Sequence, residues 1–365
     1  MHDCSRLSLS AGTKKKKKPV PPEPPFPPCV APAALPTVPA CPTSPVRPTG
    51  DDRNNGIALE FAIANAGGDC VLMVEAGTYA LFDTPVAFPR GVQLRGAQAG
   101  VPAVRARPAE STILIPRPLD CADGCFFLTG PNSSIDGFSF VVEHESVDDY
   151  VRIQDGADNS QVVNNFFSTR WFAGAGGATS VSADTGAENP FIASNFFQFD
   201  EAQRGDNFGV AIFGMSGSTG LICKNIVFGG RMLMNAFEGD FITFSENQLS
   251  DTFGGPDHFF SVGQPAGDPA VDYTIEFVGN TYRGLLIDFV GQQEGAEQIR
   301  GYYSDPSGAF GQDREVNLQE ISEDEGIFQI GNPICDDDTT TIRSLVVDPP
   351  TGTNRVVEVF CADFT

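Results

Sequence analysis

Five short lines of this chain share one pattern: an apolar residue, two variable residues, Asn, one variable residue, an apolar residue. They are Val162–Asn165–Phe167, Ile192–Asn195–Phe197, Ile222–Asn225–Val227, Phe244–Asn247–Leu249 and Phe277–Asn280–Tyr282. Ile135–Phe138–Phe140 and Ile299–Tyr302 keep the apolar part without the Asn. The leading apolar residues lie 27, 30, 30, 22, 33 and 22 residues apart. Such irregular spacing is what stacked coils give when their turns carry insertions. Within each line the alternation has the two-residue period of a short strand, and no helical period is visible.

A second apolar column precedes the Asn lines, at Phe126–Leu128, Val151–Ile153, Val181–Ala183, Val210–Ile212, Leu233–Asn235, Phe259–Ser261 and Leu285–Ile287. Its starts lie 25, 30, 29, 23, 26 and 26 residues apart. Two strands per repeat in fixed order describe a parallel β-solenoid, whose coils repeat at roughly 4.8 Å. At that spacing Asn165, Asn195, Asn225, Asn247 and Asn280 can hydrogen-bond along the stack as a ladder. The alternative is five separate turn residues.

The first 49 residues are different material. Lys14 to Lys18 form a basic run, and thirteen prolines lie between Pro19 and Pro48. Residues 1–50 are expected as a disordered, stiff polyproline-II tail. Residues 51–304 are expected as the β-helix domain, and 305–365 as a C-terminal segment packed on it. That segment includes a hairpin in IRSLVVDPPTGTNRVVEVF.

Charge narrows the partners. The chain has 23 Lys+Arg and 47 Asp+Glu. Setting aside Arg6, Lys14 to Lys18, Arg47, Asp3 and Glu23 leaves 16 against 45, or −29 for residues 50–365. Such a surface argues against nucleic acid and anionic membranes. No stretch is long and apolar enough to span a bilayer. No apolar run follows Met1-His-Asp-Cys-Ser-Arg6, so no signal peptide is expected in the sequence as written. Nine cysteines favour an oxidising, extracellular setting. Cys121 with Cys125, and Cys335 with Cys361, are the pairs considered, although spacing alone does not fix connectivity.

Residues 54–66 read as a short helix with Ile57, Leu59, Ala62, Ile63 and Ala66 apolar, stopped by Gly67-Gly68. It would cap the open end of the solenoid. The order cap helix, VLMVEAGTY, VAFPRGVQLRG, STILIP, SSIDGFSF resembles the opening of pectate-lyase-like right-handed parallel β-helix proteins, over roughly residues 54–304. The resemblance implies an all-β right-handed parallel β-helix with an N-terminal cap helix and an irregular C-terminal segment. It implies polysaccharides or cell-surface glycans as partners, and a groove beside the loops linking successive coils. It does not choose among lyases, hydrolases, epimerases and non-catalytic surface proteins.

Those linking loops hold Glu143, His144, Tyr150, Arg170, Trp171, Asp200, Glu201, Arg204, Asp206, Arg231, Asp251 and His258. Arg170, Asp200, Arg231 and Asp251 fall 5, 5, 6 and 4 residues after their Asn. They would stand near one another on successive coils. A uronate lyase or epimerase needs a cation or Arg at the sugar carboxylate and a base for the adjacent proton. Arg170, Asp200, Arg231, Asp251 and His258 are therefore the candidate catalytic residues, and Trp171, Arg204 and Tyr150 the candidate substrate contacts. Asp200, Glu201 and Asp206 are candidate ligands for Ca²⁺, the one cofactor considered. The competing reading is a surface ion-pair ladder worth little energy.

Gly255-Pro-Asp-His258 is similar to the Asp-Pro-His core of alginate epimerases but lacks the leading Asp. The polygalacturonase motif set is absent. Lys224 aligns with Glu246, as expected of a structural ion pair. No complete catalytic set is present, so a non-catalytic glycan-binding or wall-associated protein is favoured over a lyase or epimerase. One further column, Phe127, Arg152, Ser182, Ala211, Met234, Phe260, Leu286, should face outward and turn apolar. It is expected to be covered either by a second subunit or, in preference, by the C-terminal segment after residue 305, held by a Cys335–Cys361 bond.

Overall fold

The computed structural model describes residues 29–81, 86–103, 112–115, 125–142, 149–169, 179–184, 186–199, 210–214, 219–228, 231–235, 241–250, 260–263, 274–283, 287–290 and 298–304. It also describes the short strands at 318–319, 327–330, 345–347 and 355–361. Each coil contributes up to three short strands, and the strands stack into three parallel faces. The first face runs through Cys70–Met73, Val92–Arg95, Ser134–Asp136, Gln161–Val163, Phe191–Ala193, Thr219–Cys223 and Phe241–Ser245. The second runs through Thr78–Ala80, Thr112–Ile115, Ser139–Val142, Phe166–Thr169, Phe196–Phe199, Ile226–Phe228 and Gln248–Ser250. The ten-residue strand Thr274–Arg283 pairs with both faces and joins them. The third face runs from Val86–Phe88 through Phe126–Leu128, Asp149–Ile153, Thr179–Ala183, Val210–Gly214, Arg231–Asn235 and Phe260–Gly263 to Ile287–Val290. This is a parallel β-helix, right-handed by the rule that parallel crossovers obey.

Matched apolar residues stack inside it. Leu72, Leu94, Ile135, Val162, Ile192, Ile222 and Phe244 share one column on the first face, and none is more than 3% exposed. On the second face Phe140, Phe167 and Phe197 lie nearly parallel, with ring centroids 4.7 and 4.9 Å apart. That is the interstrand spacing, so identical rings on successive coils meet face to face.

The corner between the first two faces is built the same way each time. Gly137, Asn164, Ser194, Lys224 and Glu246 take left-handed φ values of 82°, 57°, 57°, 55° and 54°. A Cβ at Gly137 would overlap the backbone of Gln98 and Ala99, so this corner needs glycine. The residue after each turn is Phe138 or the Asn. Asn165 Nδ2 donates to the Ile135 carbonyl (3.0 Å) and to Asn195 Oδ1 (3.2 Å). Asn195 Oδ1 also accepts the Asn165 backbone N–H at 2.9 Å. The pattern repeats from Asn195 to Asn225 and from Asn225 to Asn247. At the top, the Phe138 N–H donates to Asn165 Oδ1 (2.9 Å), which explains why the line at Ile135 needs no Asn of its own. Asn165, Asn195, Asn225 and Asn247 are 0–1% exposed. The ladder satisfies buried backbone groups that the corner would otherwise strand. Asn280 lies in the strand Thr274–Arg283 opposite Tyr303. Ile299 pairs with Ile275 rather than with Phe277, so the last sequence line is shifted by two residues.

The cap helix spans Asp52–Ala64, two residues earlier than expected, because Asp51 caps it by accepting the Arg53 and Asn54 N–H groups. Leu59, Ala62 and Ile63 are buried against the solenoid, whereas Ile57 is 45% exposed and falls off that stripe. A Cβ at Gly56 would overlap the Ala80 carbonyl, so glycine lets the helix sit directly on the strand Thr78–Ala80. Below it, Tyr79 is fully buried and donates to the Glu75 carbonyl (2.7 Å). Burial, with the Glu75 carboxylate adding to it, pushes its phenol up to about 12.

The C-terminal hairpin forms, with Leu345–Val347 antiparallel to Arg355–Cys361. The latter strand adds in parallel to Gln298–Ser304. The expected outward apolar column does not form. Between Val210 and Ile212 the register shifts, and Ala211 is the extra residue of a bulge. One extra residue flips side-chain parity against the sequence spacing in the next two coils, Arg231–Asn235 and Phe260–Gly263. Phe260 therefore shares its column with Met232, Ile212 and the buried Val181 and Val151. Met234, two residues on from Met232, falls on that same side, and Leu286 lies outside the described residues.

Candidate functional site

Two outer faces of the helix differ in what lies on them. The first is covered by the N-terminal stretch. Sequence expects residues 1–50 to be a disordered spacer, and residues 29–50 are instead laid along the fold. Ala40 and Val46 form parallel bridges with Val71 and Val74. Farther on, Gln93 Nε2 donates to the Pro36 carbonyl (2.8 Å) and Gln161 Nε2 to the Ala33 carbonyl (3.2 Å). Disulfides Cys41–Cys70 and Cys29–Cys223 fix the two ends. A proline-rich strap thus crosses successive coils in the direction opposite to their order. Proline composition signals an extended chain but not where it lies, and no spacing rule links cysteines 194 residues apart.

The third face presents a different surface. Phe127, Arg152 and Ser182 stand in register on three successive coils, with Val151 and Val181 inward beside them. Arg152 Nε lies 2.8 Å from Asp184 Oδ1, the two side chains 34% and 27% exposed. Phe127 and Gln154 are half-buried in the same grid. The Ser182 hydroxyl is buried and has no hydrogen-bond partner among the described residues. A buried hydroxyl left unpaired is a cost the fold itself leaves standing. Phe127, the Arg152 guanidinium, the Asp184 carboxylate and the Gln154 amide, each partly exposed, form the polar and aromatic mix that orients small polar ligands, whereas Ser182 is buried beside them. Arg152 is the functional candidate that sequence reading passed over. Its signal was the outward column itself, read there for its apolar end.

Arg170, Trp171, Asp200, Glu201, Arg204, Asp206, Asp251 and His258 lie outside the described residues. Arg231 opens the strand Arg231–Asn235 and pairs with Val210, in the column of Thr179 and Asp149, rather than sitting in a linking loop. Tyr150 belongs to the strand Asp149–Ile153 and is 1% exposed, so it is a core residue and not a surface contact for substrate. Lys224 and Glu246 form the expected ion pair, 3.6 Å apart. Cys125 is buried, with Cys121 outside the described residues. Cys361 ends a strand opposite Tyr303, and Cys335 is likewise outside them. Among the described residues no group of three or more His, Cys, Asp or Glu could hold a metal ion. No helix among them is long and apolar enough to cross a membrane.

No protein-family model and no curated protein matches the chain. Among solved structures it is similar to a DFA-IIIase from Arthrobacter chlorophenolicus A6 in complex with GF2, at 11% identity and a TM-score of 0.28, covering 68% of this chain and 85% of that one. The C387A mutant of that enzyme with DFA-III matches at 10% identity and a TM-score of 0.27, with the same coverage. A likeness at that level carries no argument about family or chemistry, and the fold rests on the strand register itself.

Proposed function

We propose that this is an extracellular β-helix protein that binds an extended carbohydrate along its third face without turning it over. The observation that supports it best is the partly exposed group Phe127, Arg152 and Gln154 with Asp184 alongside. Phe127 offers a flat apolar surface, and the Arg152–Asp184 ion pair one coil away offers donors and acceptors. Two disulfides favour an oxidising compartment. The balance of −29 over residues 50–365 disfavours a polyanionic glycan unless a divalent cation bridges it.

A second reading, a pectate-lyase-like polysaccharide lyase or epimerase, rests on Arg170, Asp200, Arg231, Asp251 and His258. Trp171 and Arg204 would hold substrate, and Asp200, Glu201 and Asp206 would bind Ca²⁺. A glycan array joined to an assay for unsaturated uronates, each with and without Ca²⁺, separates the two. Binding without product supports the first reading, and product formation replaces it with the second. Arg152→Ala should abolish the binding yet change the melting temperature little, because an ion pair with side chains 34% and 27% exposed is worth about 1 kcal/mol. Undiminished binding by that variant would remove the third face from the proposal.

A further inference from the structure

The strap is held unevenly along its length. At residues 39–41 the main chain is part of the sheet: the Val71 N–H donates to the Pro39 carbonyl and the Cys41 N–H to the Val71 carbonyl. The Cys41–Cys70 disulfide beside this bridge is buried, each cysteine 3% exposed. From 29 to 38 the backbone is received by side chains, the Gln93 and Gln161 amides, which read two carbonyls and no side-chain identity. Cys29, Ala31, Ala33 and Leu35 are half-buried and their neighbours exposed, as in an extended chain with one face down. Cys29 and Ala31 pack on Phe191, Ala193, Leu221 and Cys223. Pro32, Pro36 and Pro39 have no N–H to give a sheet, so this segment cannot add as an ordinary strand. Proline-rich chains dock in apolar grooves lined by aromatic residues, and Phe191 is part of this floor.

We propose that the outer groove of the first face is a docking site for an extended, proline-rich polypeptide, and that Cys29–Cys223 is the latch reserving it for the chain's own strap. The inference is independent of the carbohydrate reading, which concerns another face. Of the four disulfide sulfurs, the one on half-buried Cys29 is the accessible target. A thiolate of a dithiol attacks Cys29 Sγ, and Cys223 leaves as a thiolate. The dithiol's second thiol then attacks the mixed disulfide and frees the Cys29 thiol. The dithiol ends as a disulfide, having supplied two electrons. Cys41–Cys70, shielded on both sides, keeps the hinge end in place. While the latch is closed, the tethered strap outcompetes any free peptide by its effective concentration. Once it is open, residues 29–38 stay tethered through Cys41–Cys70 but are held in the groove, among the described residues, by two side-chain hydrogen bonds and the packing of Cys29 and Ala31.

Two steps on the full chain under native conditions test this. Dithiothreitol is applied and thiols are alkylated in a time course, with mass mapping. Cys29 and Cys223 should be labelled while Cys41–Cys70 persists. Simultaneous opening of both bonds would overturn the latch. A fluorescent synthetic peptide of residues 29–40 is then added in excess over the effective concentration of the still-tethered strap, with oxidised glutathione as the two-electron oxidant. It should be captured as a mixed disulfide on Cys223. Capture should fall with Q161L and vanish when the peptide's prolines are shuffled. Equal capture of the shuffled peptide would mean thiol reactivity alone, and no capture would mean the groove serves only its own strap; either overturns the docking site. C29S, which leaves the Cys223 thiol free without reductant, should take the same peptide as a mixed disulfide when oxidised glutathione is supplied as the two-electron oxidant. If that variant fails to fold, the wild-type experiment still decides.

Discussion

At the scale of single residues the ladder asparagines bear the most weight. Each amide serves both neighbouring coils, so removing one leaves several buried groups unpaired. Asn225→Ala should lower unfolding free energy by roughly 1–3 kcal/mol, measured by denaturant titration. A loss no larger than that of an exposed Asn would remove the ladder as a stabilising device. Tyr79 sets a pH limit. Its folded phenol, raised to about 12 from 10, keeps its proton longer than in the unfolded chain. The stability this contributes is fully present below pH 10 and is lost as pH rises from 10 through about 12. Melting temperature should fall over that window, and Tyr79→Phe should flatten the fall. The ladder was legible in sequence because identity recurs at matched positions. Tyr150 was not, because a tyrosine near a charged loop reads the same whether its ring is buried or wet.

At the scale of elements, the columns recovered from sequence are those whose spacing the corner fixes. Each left-handed residue followed by Asn resets the register on the first two faces, so errors do not accumulate there. The third face has no such marker. The bulge at Ala211 inverted parity unseen, and the outward apolar column inferred from it dissolved. The strap shows a second kind of blindness. Composition gave its extended conformation, but its resting place depends on two glutamines and a cysteine far away in sequence. The Phe140–Phe167–Phe197 stack is the element most sensitive to truncation. Phe167→Ala should cost about 3–5 kcal/mol, since a ring is removed from between two others and the coils cannot collapse onto the gap. A cost under 1 kcal/mol would mean the stack is loose.

For the whole molecule, a solenoid must close both ends. The Asp52–Ala64 helix covers the first coil, and Arg355–Cys361 adds to Gln298–Ser304 at the other end. Removing residues 345–365 should bare that strand edge and cause concentration-dependent aggregation, followed by light scattering. A truncated chain that stays monomeric would place the closing element elsewhere. The candidate site was less legible than the fold. Repetition reports packing, whereas the site depends on which outer face stays open, and that follows from where the strap lies. The central claim is a β-helix whose coils are held in register by one continuous amide ladder. Hydrogen exchange of Asn side-chain amides, followed by NMR on protein labelled with ¹⁵N at asparagine, tests it most directly. The Nδ2 protons of Asn165, Asn195, Asn225 and Asn247 should persist long after exposed Asn amides have exchanged, and all four should be lost together on unfolding. Exchange of these four as fast as in exposed asparagines would contradict the account.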